Sequence, residues 1–291
     1  MKIREINVDN IVEFLNSKDY TIDYLTNRLS TFGAYRFNLK DYRLLVNDLV
    51  RYFFSDVTYT SHERTIDYVG APICENKDNL DKVVRNANEL TFLSMYPNII
   101  LNLYDRGEVE FNIVEFPELY RFFVNNQNEI ERHPESKKEN KWLVRLMKNY
   151  LYGSSANKLT KVYVTNIDKV VEYYKETYGQ LTDIEGFLYA DIDILYFENS
   201  AKDKILEIAN SLDIPYEVKE DISFCYFNTR RYVSVVDGKI KVRGYDYPGK
   251  PNFRNRKSSP QYEKVKEIVN KFEIEVRQHK LDKLICLSQI K

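Results

Sequence analysis

The run GFLYADIDILYF, from Gly186 to Phe197, constrains the fold of this chain more than any other segment. It lacks Pro, its only charges are two aspartates, and its aromatic and aliphatic residues are those a buried strand favours. Read as one strand, it repeats its side chains every second residue, so Asp191 and Asp193 project to the same side. Burying two like charges is costly unless a cation or a base holds them. Pattern alone therefore leaves two readings open, a metal site or solvated carboxylates on an edge strand.

The surrounding residues supply a sheet and helices to back it. Ile222 to Val235 and Lys239 to Tyr247 read as two strands joined at Asp237-Gly238, a pair that favours a tight hairpin. Upstream, Ile11 to Phe54 carries apolar residues at helical spacing, and Thr65 to Pro97 breaks into short extended pieces. Pro117 to Arg132 and Lys141 to Tyr152 read as helices separated by a polar turn from His133 to Asn140. Val162 to Thr177 has helical periodicity, and Lys202 to Ser211 is a short amphipathic helix. A basic, Pro-bearing loop from Lys250 to Pro260 precedes a closing helix from Tyr262 to Lys280.

Composition narrows the class without choosing a function. The chain has 291 residues, 43% hydrophobic and 30% charged, which is ordinary for a folded protein. It has no apolar run near the ~20 residues of a membrane helix, and MKIREINVDN lacks the apolar core of a signal peptide, so a cytoplasmic protein is expected. Cys74, Cys225 and Cys286 are far apart and form no C-x-x-C pair, so they read as reduced and structural. With a net charge of -1, any grip on nucleic acid must come from local basic patches.

Three segments, in order, carry a resemblance. Thr91-Phe92-Leu93-Ser94-Met95-Tyr96-Pro97-Asn98-Ile99-Ile100 is similar to D-x-x-S-L-Y-P-S-I-I. Arg145 through Asn149, Tyr150, Leu151, Tyr152 and Gly153 is similar to K-x-x-x-N-S-x-Y-G. Tyr189-Ala190-Asp191-Ile192-Asp193-Ile194 is similar to Y-x-D-T-D-S. Together they resemble the family B DNA polymerases. The lead-in from Asp67 to Ala71, the Arg230-Arg231-Tyr232 segment and Lys257-Ser258-Ser259-Pro260 extend the likeness, the last toward phage polymerases.

The resemblance covers about Thr65 to Lys271 and implies an α+β fold, a palm-like antiparallel sheet backed by helices, with a short helical fingers insertion and a helical N-terminal region. The corresponding division is a helical region over 1–60, palm over 61–115 and 153–247, reduced fingers over 116–152, and a basic loop with a C-terminal helix over 248–291. Catalysis in this family rests on two Mg²⁺ ions held by converging carboxylates. By resemblance, Asp191 and Asp193 are the metal ligands and Arg145 stands at the phosphate-binding lysine. Ser94, Met95 and Tyr96 form the floor beneath the nucleotide, while Asn149 and Tyr152 pack on the nascent pair. Arg230, Arg231, Tyr232 and Lys239 are the DNA contacts.

The pattern breaks at Thr91, where the family's bridging aspartate belongs. A neutral hydroxyl is a poor Mg²⁺ ligand. Glu89 shares the strand face but begins about 6.6 Å away, so substitution by it requires a bulge or register shift. Tyr150, Ile192 and Ile194 replace polar residues, and Arg121, Arg132, Lys137 and Lys138 are the only candidates for a nucleotide-gripping helix. The expected function is a polymerase-like palm acting in replication or DNA binding, with nucleotidyl transfer impaired or absent and no requirement for Mg²⁺ unless it is active. Two alternatives stay open: an active DNA polymerase working as a split palm fragment with partner chains, and a structural or interaction module. DNA, replication proteins or other polymerase fragments are the expected partners, with no membrane. Basic Lys250, Arg254, Arg256 and Lys257, interleaved with Tyr245, Tyr247 and Phe253, favour DNA over the structural module.

Overall fold

The computed structural model describes residues 4–17, 39–54, 73–75, 77–138, 140–141, 143–144, 147–148, 162–228, 231–244 and 260–289. Its centre is one antiparallel sheet built from β1 (Ile73–Glu75), β2 (Val84–Phe92), β3 (Phe187–Asp191), β4 (Ile194–Glu198), β5 (Tyr216–Asn228), β6 (Arg231–Val236) and β7 (Lys239–Arg243). The strands lie in the order β1-β3-β4-β2-β5-β6-β7. The fold is thus α+β with an antiparallel sheet backed by helices, as expected. No helix among the described residues is long and apolar enough to cross a membrane.

The aspartate run is a hairpin and not the single strand expected from its alternation. Asp191 pairs with Ile194, and Ile192 and Asp193 form the turn between β3 and β4. Ile192 has φ 62°, a value that a β-branched residue rarely adopts. The Asp193 amide donates to the Asp191 carbonyl at 2.8 Å, closing a γ-turn. The first-motif strand is not the direct neighbour of β3; β4 lies between them, with Thr91 of β2 opposite Ile194. The two segments still share the sheet, and the Phe92 amide donates to the Asp193 carbonyl at 2.8 Å.

Bulges between β2 and β5 bend this sheet. Between β2 and β5 the register shifts twice, between Val84 and Ala87 and between Ala87 and Glu89. Asn86 and Asp221 have positive φ there, as short polar residues tolerate. Bulges sharpen local twist, and β5–β6–β7 folds back over β3–β4–β2. The Tyr189 ring of β3 consequently meets Tyr226 of β5 at 5.3 Å and Tyr232 of β6 at 5.7 Å, although β4 and β2 intervene in the order. Tyr196 stacks on Phe224 at 3.9 Å in the same enclosed aromatic core. Each ring buried this way stabilises the fold by roughly 2–3 kcal/mol.

The outer faces carry the helices. Leu90, Phe92, Ala190, Leu195 and Phe197 pack beneath α3 (Met95–Asp105), α6 (Ile167–Thr182) and α7 (Lys202–Ser211). Val233, Cys225 and Phe227 pack against Val265, Val269 and Phe272 of α8 (Pro260–Gln289). Burial pushes the Cys225 thiol up to about 12, in keeping with a structural cysteine. Two N-terminal helices, α1 (Val8–Asn16) and α2 (Leu39–Phe53), join the larger core through Ile11, Phe14, Leu49 and Phe53.

Other boundaries shift for physical reasons. Val164 forms an isolated bridge with Phe111, and the helix expected from Val162 starts at Ile167. The expected Pro117–Arg132 helix is two, α4 (Phe116–Asn125) and α5 (Gln127–Arg132), broken at Asn126. The run from Ile222 to Val235 is parts of two strands, β5 and β6. At Asp237-Gly238 both residues have positive φ, 51° and 65°, and the expected hairpin is present.

Candidate functional site

The inner face of the bent sheet gathers the candidate residues. Strand pairing places Asp191, Ile194 and Thr91 in one row across β3, β4 and β2. Two strand spacings separate Thr91 from Asp191, about 9.5 Å, with the Ile194 side chain between them. One step along the strands, Tyr189, Tyr196 and Glu89 occupy the same face. From the folded-over half, Lys239, Lys241 and Arg243 alternate on β7 opposite Val236, Ser234 and Tyr232, and they face the same interior.

Asp191 and Glu89 are the two buried carboxylates among the described residues, each 2% exposed. Each has a protein cation. Arg243 Nη2 lies 3.5 Å from Asp191 Oδ2, reaching across from the far end of the strand order. Lys241 Nζ lies 3.4 Å, and Lys219 Nζ 4.0 Å, from Glu89 Oε1. The Tyr196 hydroxyl donates to Glu89 Oε2 at 2.7 Å. Burial, with the charge of Glu89 nearby, keeps that phenol far above its ordinary range and therefore a donor. Glu89 is thus engaged where it stands, and the ladder from Glu89 to Thr91 runs without a bulge that could bring it to position 91.

Asp193 sits in the γ-turn, and its carboxyl is raised above the usual range, chiefly by burial and further by Asp191. Arg243 and Lys148 pull it back. The turn itself is held from below. Tyr174 and Tyr178, one helical turn apart on α6, both donate their hydroxyls to the Ile192 carbonyl, Tyr174 at 2.6 Å. Their rings stack at 4.5 Å, and Tyr96 stacks on Tyr174 at 4.8 Å. Burial pushes the Tyr174 phenol up strongly, so it remains a donor.

Several expected site residues land elsewhere. Met95 is buried in the helical core and Tyr96 has one ring face covered by Tyr174, while Ser94 precedes α3 in the left-handed region. Tyr232, 4% exposed, is part of the aromatic core and offers no ring to a base. Arg231 alternates with Tyr232 and shares the opposite face with Val233. Lys239 does lie on the inner face, at an exposed position. Arg121 pairs with Asp105 at 2.6 Å, and Lys137 donates to the Asn16 carbonyl at 3.0 Å. Arg145, Asn149, Tyr152, Arg230 and the basic loop over 250–259 lie outside the described residues.

Sequence reasoning missed Arg243, Lys241, Lys148, Tyr174 and Tyr178 as site residues. Two signals pointed to four of them, basic residues at every second position of a strand and tyrosines four apart on a helix; Lys148 had none.

The arrangement does not fit two Mg²⁺ ions, which want several charged oxygens in near-octahedral geometry. Among the described residues, no three His, Cys, Asp or Glu side chains are grouped to hold a metal. An isoleucine separates Thr91 from Asp191, and Asp191 faces a guanidinium.

No family model matches the chain, and no curated protein matches it. Among solved structures, the family B DNA polymerase from the hyperthermophilic archaeon Pyrobaculum calidifontis aligns with a TM-score of 0.41 and 18% identity. The alignment covers 70% of this chain and 33% of that one, so the chain spans about a third of that structure's length.

Proposed function

We propose that this chain is a non-catalytic, polymerase-palm-like protein that binds the backbone of duplex DNA with the basic edge of its folded sheet. The observation that carries the reading is that Asp191 and Glu89, the buried carboxylates of the inner face, are each neutralised by a protein cation. A palm that uses its carboxylates for metal needs them open to solvent ions. Here Arg243 takes that role at Asp191, and Lys241 with Lys219 at Glu89.

The same cations support the binding half of the proposal. Lys239, Lys241 and Arg243 form a row on β7 with about 6.7 Å between successive members, and Lys241 and Lys219 keep 47% and 36% of their side-chain surface exposed. Such a row suits phosphates and carries no base recognition. Fluorescence anisotropy with a labelled duplex, titrated with salt, tests this. Lys239→Ala should weaken binding equally across sequences and reduce the salt slope by about one unit. Absence of duplex affinity at low salt, or losses that depend on sequence, would refute the reading.

A further inference from the structure

The disagreement between the metal set implied by resemblance and the residues present has a specific form. Asp191 is 2% exposed on β3, and its partner comes from β7, the last strand of a sheet that reaches it only by folding over. Arg243 ends β7 opposite Tyr232, whose ring packs on Tyr189, two residues before Asp191. Asp193, two residues on, adds a second acid, and the charge of Arg243 acts on it too.

We infer that the Arg243 guanidinium is the built-in counter-ion of Asp191, and that a divalent cation enters this face only when Arg243 is removed. The inference rests on reading this face as a palm that has lost its metals, and it adds the residue that replaces them. The geometry leaves room for competition. At 3.5 Å, with one nitrogen facing one oxygen, the contact is an ion pair and not the short bidentate bond that Arg and a carboxylate can form. Across the strands Asp191 faces Ile194, so Asp193 is the one further acid of the group, too little to hold a metal against the guanidinium charge.

The test is Mn²⁺ titration of the full chain, followed by loss of the free-ion electron paramagnetic resonance signal, together with melting in EDTA and in Mg²⁺. The unmodified chain should bind Mn²⁺ no more tightly than about 1 mM and melt at the same temperature in both buffers. Arg243→Gln should melt about 5 °C lower in EDTA, regain part of that in Mg²⁺, and bind Mn²⁺ roughly tenfold more tightly. Adding Asp191→Asn to Arg243→Gln should abolish the metal response. The inference is overturned if folded Arg243→Gln gains no Mn²⁺ affinity. It is also overturned if the unmodified chain binds Mn²⁺ tightly and Asp191→Asn removes that binding, a comparison that holds even if Arg243→Gln does not fold. None of these readouts involves DNA, so a failure of duplex binding would remove the proposed function and leave this result standing.

Discussion

Removing the two phenol hydroxyls beneath the aspartate turn should expose how that turn is maintained. Ile192 at φ 62° costs about 1–3 kcal/mol relative to a residue at ease in that region. Tyr174 and Tyr178 both donate to its carbonyl, and each bond contributes about 1 kcal/mol net. In Tyr174→Phe or Tyr178→Phe the carbonyl keeps one donor, so each single substitution should cost about 1 kcal/mol. In the double variant both bonds go and a part-buried carbonyl is left bare, which adds about 1 kcal/mol at the lower end of that penalty. The double should therefore cost about 3 kcal/mol, about 1 kcal/mol more than the two singles combined. Urea unfolding followed by far-ultraviolet circular dichroism and by the fluorescence of the single tryptophan measures this, provided the two probes coincide. A double variant that loses no more than either single would show that the two tyrosines do not jointly hold the turn.

Further outcomes concern the frame. Arg85 makes a two-pronged pair with Glu275, at 2.6 and 2.8 Å, tying β2 to α8. The hydrogen bond to Arg85 lowers the Glu275 carboxyl below its ordinary 4.5. A depressed acid stabilises the fold above its unfolded value, so this contribution should be complete above about pH 4.5 and lost as pH falls through the folded value. The pair is partly exposed, so pH-dependent melting of Arg85→Ala should show a loss of about 1 kcal/mol or less at neutral pH, vanishing in acid. At Gly186, φ is 92° and an added Cβ would meet Ser200 Oγ at 2.9 Å and Ala201 Cβ at 3.1 Å. Gly186→Ala should cost about 2–4 kcal/mol in the same denaturation, against about 1 kcal/mol for Gly238→Ala, whose surroundings are open.

How much of this was legible depended on whether local pattern carried the information. The amphipathic period of Lys202–Ser211 and the Asp237-Gly238 pair contain their own structure, and both elements appear where expected. The Asp191–Ile194 turn did not announce itself, because an isoleucine stands where turn chemistry favours Gly or Asn, and the alternation continues straight through it. The hydroxyls of Tyr174 and Tyr178 hold it, and they arrive from a different element. Motif order drew attention to Asp191, Asp193 and Thr91, which the fold brings onto neighbouring strands and the turn between them. It could not find Arg243 as the partner of Asp191, because that contact depends on how far bulges at Asn86 and Asp221 bend the sheet. The burial of Tyr232 was illegible for the same reason, since bending turns its face from a surface into a core.

Primer extension by the full chain, with Mg²⁺ and then with Mn²⁺, bears most directly on the claim that the inner face is neutralised by the protein's own cations. The unmodified chain should give no extension, and Thr91→Asp alone none either, because Ile194 still separates position 91 from Asp191 and Arg243 still faces that carboxylate. Template-dependent extension by the unmodified chain that disappears in Asp193→Ala would contradict it.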